Sequence, residues 1–383
     1  MAVRKVIMLL DNPLVSDIRV EKEATSLTTA GHSVTIHAVA APHLPEKEMR
    51  NGYTIVRDIS PSIDHPFSAT YTTFVKKFVS QLAGEQMDVL HCHDYKMIVL
   101  GAQIITLQPR VKLIYDAHEF LPGWPMYQEL RGLSNKLKGY VVWKMAVLQE
   151  AKAIQKANQV ITVGPALAIE MQKEYGLTST PLVVRNVPEP CHFTTEPNYY
   201  RTKYHLPEEA LVFIHSGNIY HTPERIQMMI AAVGSIKNAY LVFIGDSARL
   251  KALEKSNPHG HVLFHPYAQR EELFKLMQAA DFGIVHTWQP DWRSHWFSLP
   301  NRILEYTMAG LPVIATAQPE FMNLGKTFGN MVFYKGDVFS ELVNAMEQAI
   351  VQRADLRVKA MTAAKDLSWE TEVQPMLNLY QAL

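Results

Sequence analysis

The chain has 383 residues, with 37 Lys and Arg residues against 37 Asp and Glu residues, and its formal net charge is zero. This length exceeds one ordinary core and suits two α/β domains. The balanced charge argues against nucleic acid as a partner, and two cysteines exclude a disulfide framework and favour a reducing cytoplasm.

Strand-like and helix-like segments alternate along the first half of the chain, which predicts a parallel sheet. The apolar run near the start is too short to cross a membrane, so we interpret it as the first strand. Predicted strands cover residues 3–10, 33–39, 53–56, 89–91, 112–115 and 159–163. Predicted helices cover residues 17–30, 70–82, 95–107 and 126–158, with another that ends at residue 175. Together they predict one doubly wound domain over residues 1–184.

A second alternating series follows a Pro-rich, polar connection near residues 185–204. It begins at residue 211 with the strand LVFIHS and continues through the strands YLVFIG, HVLFHPY and DFGIVHTW, separated by predicted helices. These segments predict a second α/β domain over residues 185–365. The last segment, residues 366–383, is predicted to be a terminal helix.

The sequence SLPNRILEYTMAGLPVIATA at residues 298–317 joins a marked helix to a buried strand. Ser298 is predicted to cap the helix, Pro300 to lie in its first turn and Gly310 to form its left-handed exit. Residues 311–316 then read as a strand that is buried on both faces.

This helix start has the features of an anion site. Free amides near Leu299 can receive a diphosphate, and Arg302 adds a positive charge. Glu305 can accept hydrogen bonds from the two hydroxyls of a ribose. Phosphate and ribose together indicate a nucleotide. The alternative is that Arg302 and Glu305 form only a solvated ion pair.

The motif resembles that of retaining GT-B glycosyltransferases of family 4, in the subgroup that reads LPNKL-EYM-AGLPVIA, with Arg302 where the pattern has lysine. The resemblance implies two doubly wound, Rossmann-like α/β domains that face each other across a cleft. The first would bind the acceptor and the second the nucleotide sugar, while the terminal helix would cross back to the first domain. It further implies transfer from a UDP-sugar or GDP-sugar to a hydroxyl, with retention, no metal and no other cofactor.

Two strand ends in the first domain, DVLHCHD and LIYDAHEF, also match these enzymes. They would deliver His93, Asp94, Asp116, His118 and Glu119 to the carboxyl edge of the sheet. The resemblance places His118 at the donor sugar, where a neutral imidazole would bind a hydroxyl. The alternative is that this histidine only caps a loop.

The loop after the first strand matches the acceptor side of the family through Asp17 and Arg19, although the usual paired glycines are replaced by Asn12, Pro13 and Ser16. Asp17 is equally consistent with a helix cap. Arg19 is equally consistent with an ordinary (i, i+4) pair to Glu23. The predicted acceptor-side residues are Asp17, Arg19, His93, Asp94 and Glu119.

In the second domain, FIHSGNIYHTPERI resembles the strand, glycine and basic residue that hold the diphosphate in the family. Arg225 is the predicted phosphate cation, because a guanidinium can hold two oxygens at once. The predicted nucleotide-binding residues are Gly217, Asn218, Arg225, Asp246, Tyr267, Ser298, Leu299, Pro300 and Glu305. The predicted catalytic residues are His118, Arg225, Arg302 and Glu305.

One departure concerns the sugar. Many relatives carry a second glutamate eight positions before the ribose glutamate, where this chain has Phe297. The nearby segment WQPDWRSHWF offers Trp288, Trp292 and Trp296 for stacking on sugar rings, although packing is an equal alternative. The metal prediction is none, because neither an Asp-x-Asp signature nor a Cys/His ligand cluster occurs in the sequence.

The acceptor is predicted only as a class: a glycan, a lipid-linked glycan or a protein, in bacterial surface glycan or glycoconjugate synthesis. Residues 128–159 mix basic and aromatic side chains, which suits peripheral contact with anionic lipid at the inner face of a cytoplasmic membrane. A solvated helix face is the alternative. A nucleotide-sugar epimerase of the same fold and a noncatalytic, degenerate transferase subunit are the other two functions considered.

Overall fold

The computed structural model describes residues 3–64, 68–189, 196–217, 222–256 and 259–383. The chain divides into two compact units. The first contains Met1–Arg185, Trp292–Ser294 and Val373–Leu383, and the second contains Asn186–Asp291 and His295–Glu372.

The first unit is built on an eight-stranded sheet. Its strands are β1 (Lys5–Leu9), β2 (Ser33–Val39), β3 (Lys47–Arg50), β4 (Tyr53–Ile59), β5 (Val89–His93), β6 (Lys112–Ala117), β7 (Gln159–Thr162) and β8 (Leu182–Val183). Its first five helices are α1 (Ile18–Thr29), α2 (Ala69–Leu82), α3 (Asp94–Leu107), α4 (Leu133–Ile154) and α5 (Pro165–Tyr175). The strand order is β3-β4-β2-β1-β5-β6-β7-β8, and the pairings are parallel except between β3 and β4.

The second unit carries a six-stranded parallel sheet in the order β11-β10-β9-β12-β13-β14. Its strands are β9 (Leu211–Ser216), β10 (Ala239–Ile244), β11 (Val262–His265), β12 (Phe282–Val285), β13 (Val313–Thr316) and β14 (Met331–Tyr334). The order reverses between β9 and β12, as in a doubly wound fold. The prediction of two doubly wound α/β domains is therefore confirmed.

The helices of the second half begin with α6 (Tyr199–Tyr204), α7 (Pro223–Gly234), α8 (Ala248–Ser256), α9 (Arg270–Ala279), α10 (Arg293–Trp296) and α11 (Asn301–Met308). They continue with α12 (Pro319–Phe328), α13 (Phe339–Val351), α14 (Arg353–Asp366), α15 (Trp369–Glu372) and α16 (Gln374–Ala382). Helix α16 belongs to the first unit, where the Tyr380 hydroxyl lies 2.8 Å from His91 Nδ1. No helix among the described residues is long and apolar enough to cross a membrane.

The helix of the SLPNRILEYTMAGLPVIATA motif is α11, and its start corrects the sequence prediction. Ser298 does not cap it: its hydroxyl donates to the His295 carbonyl at 2.8 Å. Pro300, predicted inside the first turn, instead occupies the N-cap position without a side-chain cap. Gly310 exits at φ +67°, and the Leu311 amide donates back to Tyr306, so the predicted left-handed exit is correct.

Three other predicted segments differ from the structure. The helix predicted over residues 126–158 is two elements, a 3-10 turn at Met126–Glu129 and then α4, because Gly132 at φ +82° separates them. The sequence prediction also missed β3, which forms a hairpin with the predicted β4, and it placed α6 in the connection. Tyr200 of α6 is fully buried and donates a hydrogen bond to the Leu276 carbonyl at 3.0 Å, so tertiary packing orders that helix.

Candidate functional site

Gly217 follows β9 at the carboxyl edge of the second sheet. Its φ of +86° is one that side-chain-bearing residues rarely adopt. A Cβ at this position would lie 3.2 Å from Nη2 of Arg302, so glycine lets the guanidinium approach the backbone closely. The backbone after β9 and the start of α11 therefore meet at this edge.

Arg302 lies in the first turn of α11 and points back toward β9. Its Nη1 lies 2.9 Å from Nε2 of His215, which is buried on β9. The imidazole of His215 therefore helps to fix the position of the guanidinium. Amides near the start of α11 add their partial positive charge beside it.

Glu305 is half-buried one turn further along α11. Burial raises the pKa of its carboxyl, while the charges of Arg302 and Arg270 oppose that rise. Within the described part of the chain, the carboxylate accepts no hydrogen bond and forms no ion pair within 4 Å. The predicted alternative, a solvated Arg302–Glu305 ion pair, is therefore not seen. A half-buried acceptor without a protein partner is suited to a ligand hydroxyl.

Arg225 lies in the first turn of α7 and is held by a polar network. Its Nε and Nη2 donate to Oδ2 of Asp337 at 2.9 and 2.8 Å, and Nη2 also donates to the Trp288 carbonyl at 2.6 Å. The other Asp337 oxygen lies 2.7 Å from Nε2 of His286, whose Nδ1 lies 2.6 Å from the Tyr334 hydroxyl. One edge of the guanidinium is thus occupied, and among the described residues no hydrogen bond from Nη1 is found, so that atom can donate to a ligand.

In the first unit, Arg19 on α1 is buried and joins three segments. Its Nη2 lies 2.8 and 3.0 Å from the two carboxylate oxygens of Asp116, and its Nη1 donates to the Val184 carbonyl at 2.7 Å. Nε lies 3.1 Å from the carboxylate of Glu23. The (i, i+4) pair is therefore present, but it is a buried one in contact with a strand end.

His118 lies between two carboxylates. Its Nε2 is 3.2 Å from Asp116 and its Nδ1 is 3.3 Å from Asp94. Burial alone would lower the pKa of this imidazole, but Asp94 and Asp116 together raise it well above its ordinary value. The two carboxylates therefore favour a protonated imidazole over the neutral one expected from the sequence, because both ring nitrogens face acceptors.

Four donor groups in this cluster lie close enough together to suggest a metal site. One ligand atom from each of Glu23, His91, His93 and Asp116 falls within 4.8 Å of the others. However, the rings of His91 and His93 are stacked, with centroids 4.6 Å apart and planes 16° apart. An imidazole binds a metal in its ring plane, and two nearly parallel planes do not converge on one ion. The Arg19 guanidinium already supplies the cation for both carboxylates.

Two family models match the chain in succession, one on each half. The model described as Glycosyltransferase Family 4 matches residues 18–186, and the model described as Glycosyl transferases group 1 matches residues 210–352. The chain is a GT-B glycosyltransferase. The family 4 and group 1 pair of domains agrees with the family named from the motif, while the LPNKL subgroup stays a prediction.

Known proteins support this glycosyltransferase fold over nearly the whole chain. An uncharacterized glycosyltransferase of Methanocaldococcus jannaschii is 22% identical, covering 94% of this chain and 92% of its own. The solved sucrose-phosphate synthase of Thermosynechococcus elongatus has a TM-score of 0.73 at 17% identity, covering 99% of both chains. Anabaena HepE in complex with UDP-glucose has a TM-score of 0.67 at 16% identity, covering 99% of this chain and 100% of its own.

Other predicted site residues of the glycosyltransferase are placed as follows. Asp17 caps α1 by accepting from the Val20 amide at 3.3 Å. Leu299 is buried ahead of α11, whereas Tyr267 and Glu119 are exposed. Asp246 lies 3.5 Å from Lys251 near the start of α8. Asn218 lies outside the described residues. None of these placements assigns a ligand contact.

The tryptophans near α10 contact one another in this glycosyltransferase. Trp288 and Trp296 meet edge to face, with centroids 4.9 Å apart and planes 89° apart. The packing alternative therefore holds for this pair, which leaves their role in sugar binding a prediction.

Sequence reasoning missed three residues around the predicted cations: His215 contacts Arg302, Asp337 contacts Arg225, and His286 contacts Asp337. His215 reads as an ordinary inward position of a strand, and Asp337 as a turn residue after β14. The only available signal was their position at strand ends that share the carboxyl edge of one parallel sheet. Their partners, separated by 51 to 112 residues, could not be assigned from spacing.

Proposed function

We propose that this glycosyltransferase moves a sugar from a nucleotide diphosphate sugar to a hydroxyl acceptor with retention and without a metal ion. The observation that carries the proposal is the convergence of three features in the second unit: the left-handed Gly217, the Arg302 guanidinium beside it, and the unpartnered Glu305 carboxylate one turn along α11. A backbone that allows close approach, a cation and a polar acceptor match a diphosphate followed by a ribose.

In the proposed reaction, the bond between the anomeric carbon and the phosphate oxygen breaks, and a bond to the acceptor oxygen forms on the same face. The acceptor proton passes to an oxygen of the leaving diphosphate. Arg302, Nη1 of Arg225 and the first amides of α11 would stabilise the negative charge on that diphosphate. Fixed donors of this kind need no reorganisation during the reaction, which is why Asp337 and His215 matter as supports.

The first unit would supply His118 and the acceptor-side residues. A charged His118, held by Asp94 and Asp116, would donate to a hydroxyl of the donor sugar rather than accept from it. Arg19 would keep Asp116 in place from the buried side, which makes it a positioning residue in this proposal.

UDP-sugars are the first donor class to test, because Anabaena HepE, a structural neighbour over the whole chain, was solved with UDP-glucose. GDP-sugars are the second class. The acceptor is proposed as a glycan, a lipid-linked glycan or a protein in bacterial surface glycan synthesis. We place the enzyme in the cytoplasm, with a peripheral contact at the inner face of the membrane.

A thermal-shift screen tests the proposal directly. The purified protein is heated with UDP, GDP, ADP and their common sugar conjugates, each with magnesium and with a chelator. A ligand that binds the native state raises the midpoint, so one base should raise it equally in both conditions. No response to any nucleotide would contradict the donor site, and a response lost with the chelator would contradict metal independence. Product formed from donor alone would instead indicate the epimerase.

A further inference from the structure

Helix α4 leaves one half of its length uncovered. Its buried residues are Val147, Glu150, Ala153 and Ile154, all toward its C-terminal end. The first half, by contrast, is exposed on nearly every side from Leu133 to Val142. Trp143 marks the transition, because its indole nitrogen donates to the Leu121 carbonyl at 3.1 Å and fastens the helix to the domain. The C-terminal half of α4 is therefore packed on the first unit, and the N-terminal half extends from it.

The exposed apolar side chains of α4 share one face. At ~100° per residue, the side chains of Leu133, Leu137, Tyr140, Val141, Met145 and Leu148 fall within about 140° of the helix circumference. Leu133 is 86% exposed and Leu137 is 65% exposed. The side chains that face the domain, Trp143, Val147 and Ile154, lie just beyond the Tyr140 border of this stripe. The stripe meets the packed face at Tyr140, whose ring contacts those of Tyr127 and Trp143, and its other five side chains lie farther from that face.

All charge along the exposed part of this segment is positive. Between residues 130 and 149 the sequence contains Arg131, Lys136, Lys138 and Lys144 and no Asp or Glu. Lys136 and Lys138 project at the two borders of the stripe, and Lys144 lies within it. Long basic side chains can extend their charges to a surface while apolar neighbours are buried beneath it. Apolar residues rimmed by lysines match the boundary of an anionic bilayer.

We infer that the exposed stripe of α4 is a membrane-docking surface that inserts into the headgroup region of an anionic lipid bilayer. The inference deepens the proposed function, on which the peripheral location rests, by naming the surface and the lipid charge that bind. It would bring the enzyme to the membrane face where a lipid-linked acceptor is reached.

A bilayer fits the stripe better than the other two occupants. A second copy would place Arg131, Lys136, Lys138 and Lys144 opposite the same four cations, and like charges in contact disfavour a symmetric pair. Nucleic acid would neutralise the charge but leave Leu133, Leu137 and Val141 in water. Only an anionic, partly apolar surface satisfies both properties at once.

Co-sedimentation with vesicles tests the inference on the full-length protein. Vesicles of phosphatidylcholine alone are compared with vesicles of equal parts phosphatidylcholine and phosphatidylglycerol, at low and high salt. We expect binding to the anionic vesicles that weakens with salt, because each lysine contributes about fivefold in affinity near such a surface. The variant Lys136→Gln/Lys138→Gln/Lys144→Gln should lose on the order of 100-fold.

The apolar part is tested by Leu133→Ser/Leu137→Ser, which should lose at least about tenfold because two exposed leucines no longer insert. The matched control is Val351→Ser/Val358→Ser on α13 and α14, where the side chains are 86% and 67% exposed. The control should bind like the unchanged protein.

Three results would overturn the inference: no binding to anionic vesicles, equal loss in the control, or a concentration-dependent dimer that the leucine variant abolishes. A protein that binds nucleotide but not vesicles would overturn only this inference. A protein that binds vesicles but no nucleotide would overturn only the proposed donor site.

Discussion

At the scale of single residues, Glu305 is the most direct test of the ribose contact. The change Glu305→Gln keeps the shape of the side chain but removes its charge, and burial already disfavours that charge. We expect the affinity for the matching nucleoside diphosphate to fall by about fivefold to 100-fold, as when one strong hydrogen bond is weakened. The thermal midpoint without ligand should not fall. Titration calorimetry measures the first quantity and a melting curve the second.

The control for Glu305 is the 2′-deoxy nucleotide. If the carboxylate binds the ribose hydroxyls, the variant and the unchanged protein should differ less for the deoxy ligand than for the ribose ligand. Glu271→Gln, at an exposed position of α9, serves as the matched substitution. An identical loss for both ligands would show that Glu305 contacts something other than the 2′-hydroxyl.

Arg225 should be more sensitive to geometry than to charge. Lysine keeps the positive charge but offers no planar fork for Asp337 and the Trp288 carbonyl, so Arg225→Lys should resemble Arg225→Ala. We expect kcat/KM to fall by about tenfold or more in both. Stability should change by less than about 1 kcal/mol, because the Asp337 partner is partly exposed.

The measurement for Arg225 is steady-state kinetics with a parallel melting curve, and Arg249→Ala on α8 is the control because it removes another arginine of the second unit. Full activity of Arg225→Lys would mean that the Asp337 network does not orient a catalytic cation. Equal effects of Arg225→Ala and Arg249→Ala would mean that only the general positive potential matters.

Single residues also show which contacts of the candidate site could be predicted from the sequence alone. The sequence predicted Arg302 and Glu305 as neighbours on one helix, because (i, i+3) spacing is local information. It did not predict that Arg302 turns to His215 across 87 residues, or that Asp94 and Asp116 together raise the pKa of His118. Those contacts depend on which strand ends meet at a sheet edge, and the spacing of residues along the chain does not determine which strands are neighbours.

At the scale of elements, α4 is tied to the first sheet by a buried carboxyl. Glu150 receives hydrogen bonds from the hydroxyls of Tyr115 on β6 and Tyr175 on α5. Burial raises the pKa of Glu150 to about 7, although both hydroxyls act to lower it. The carboxyl is therefore protonated in the fold over part of the range in which it would ionise in the unfolded chain.

The raised pKa of Glu150 predicts that the first domain loses stability as pH rises. The contribution is fully present below the unfolded pKa near 4.5 and is lost as pH rises through about 7. Its upper bound is about 3 kcal/mol, from the size of the shift. Glu150→Gln should flatten this dependence between about pH 5 and pH 8. Urea unfolding at several pH values measures it.

The matched control for Glu150 is Glu347→Gln, for which the exposed α13 site gives no burial. Glu23, whose pKa burial and Asp116 raise to about 8, contributes a slope of the same sign that both variants keep. A slope unchanged by Glu150→Gln would mean that Glu150 is not the group that titrates.

How well a helix or strand could be predicted from the sequence depended on how it packs in the fold. Strands buried on both faces, such as β5 and β13, were predicted well because continuous apolar runs require burial. The short α6 was not predicted, since its six residues become helical only where Tyr200 packs under β9 and α9. The break before α4 depends on the positive φ of Gly132. The φ of a glycine within a helix-like sequence pattern cannot be predicted from that pattern.

At the scale of the whole molecule, α16 completes a domain whose other elements lie far earlier in the chain. The hydroxyl of Tyr380 meets His91 Nδ1 across 289 positions, and both side chains are fully buried. Burial lowers the pKa of His91 well below its ordinary value, so the ring is neutral and can accept that hydrogen bond. Tyr380→Phe should therefore destabilise the first domain by about 1–3 kcal/mol.

Hydrogen exchange of the β5 amides measures this change, because protection of a central strand reports opening of its own domain. Tyr240→Phe, a tyrosine of the second sheet without a hydroxyl partner among the described residues, is the control. If both variants lowered the protection of β5 equally, that result would contradict the stabilising role of the Tyr380 hydroxyl.

The late position of Tyr380 also has a consequence for synthesis. A ribosome that has just produced β8 has made every strand of the first sheet, yet the helix that covers His91 is still nearly two hundred codons away, with α16 beginning at Gln374. Until α16 has been made, the nascent first domain therefore lacks the helix that covers His91, while the second domain emerges and folds. For this chain, translation speed through the second half sets how long that exposed surface is available to chaperones.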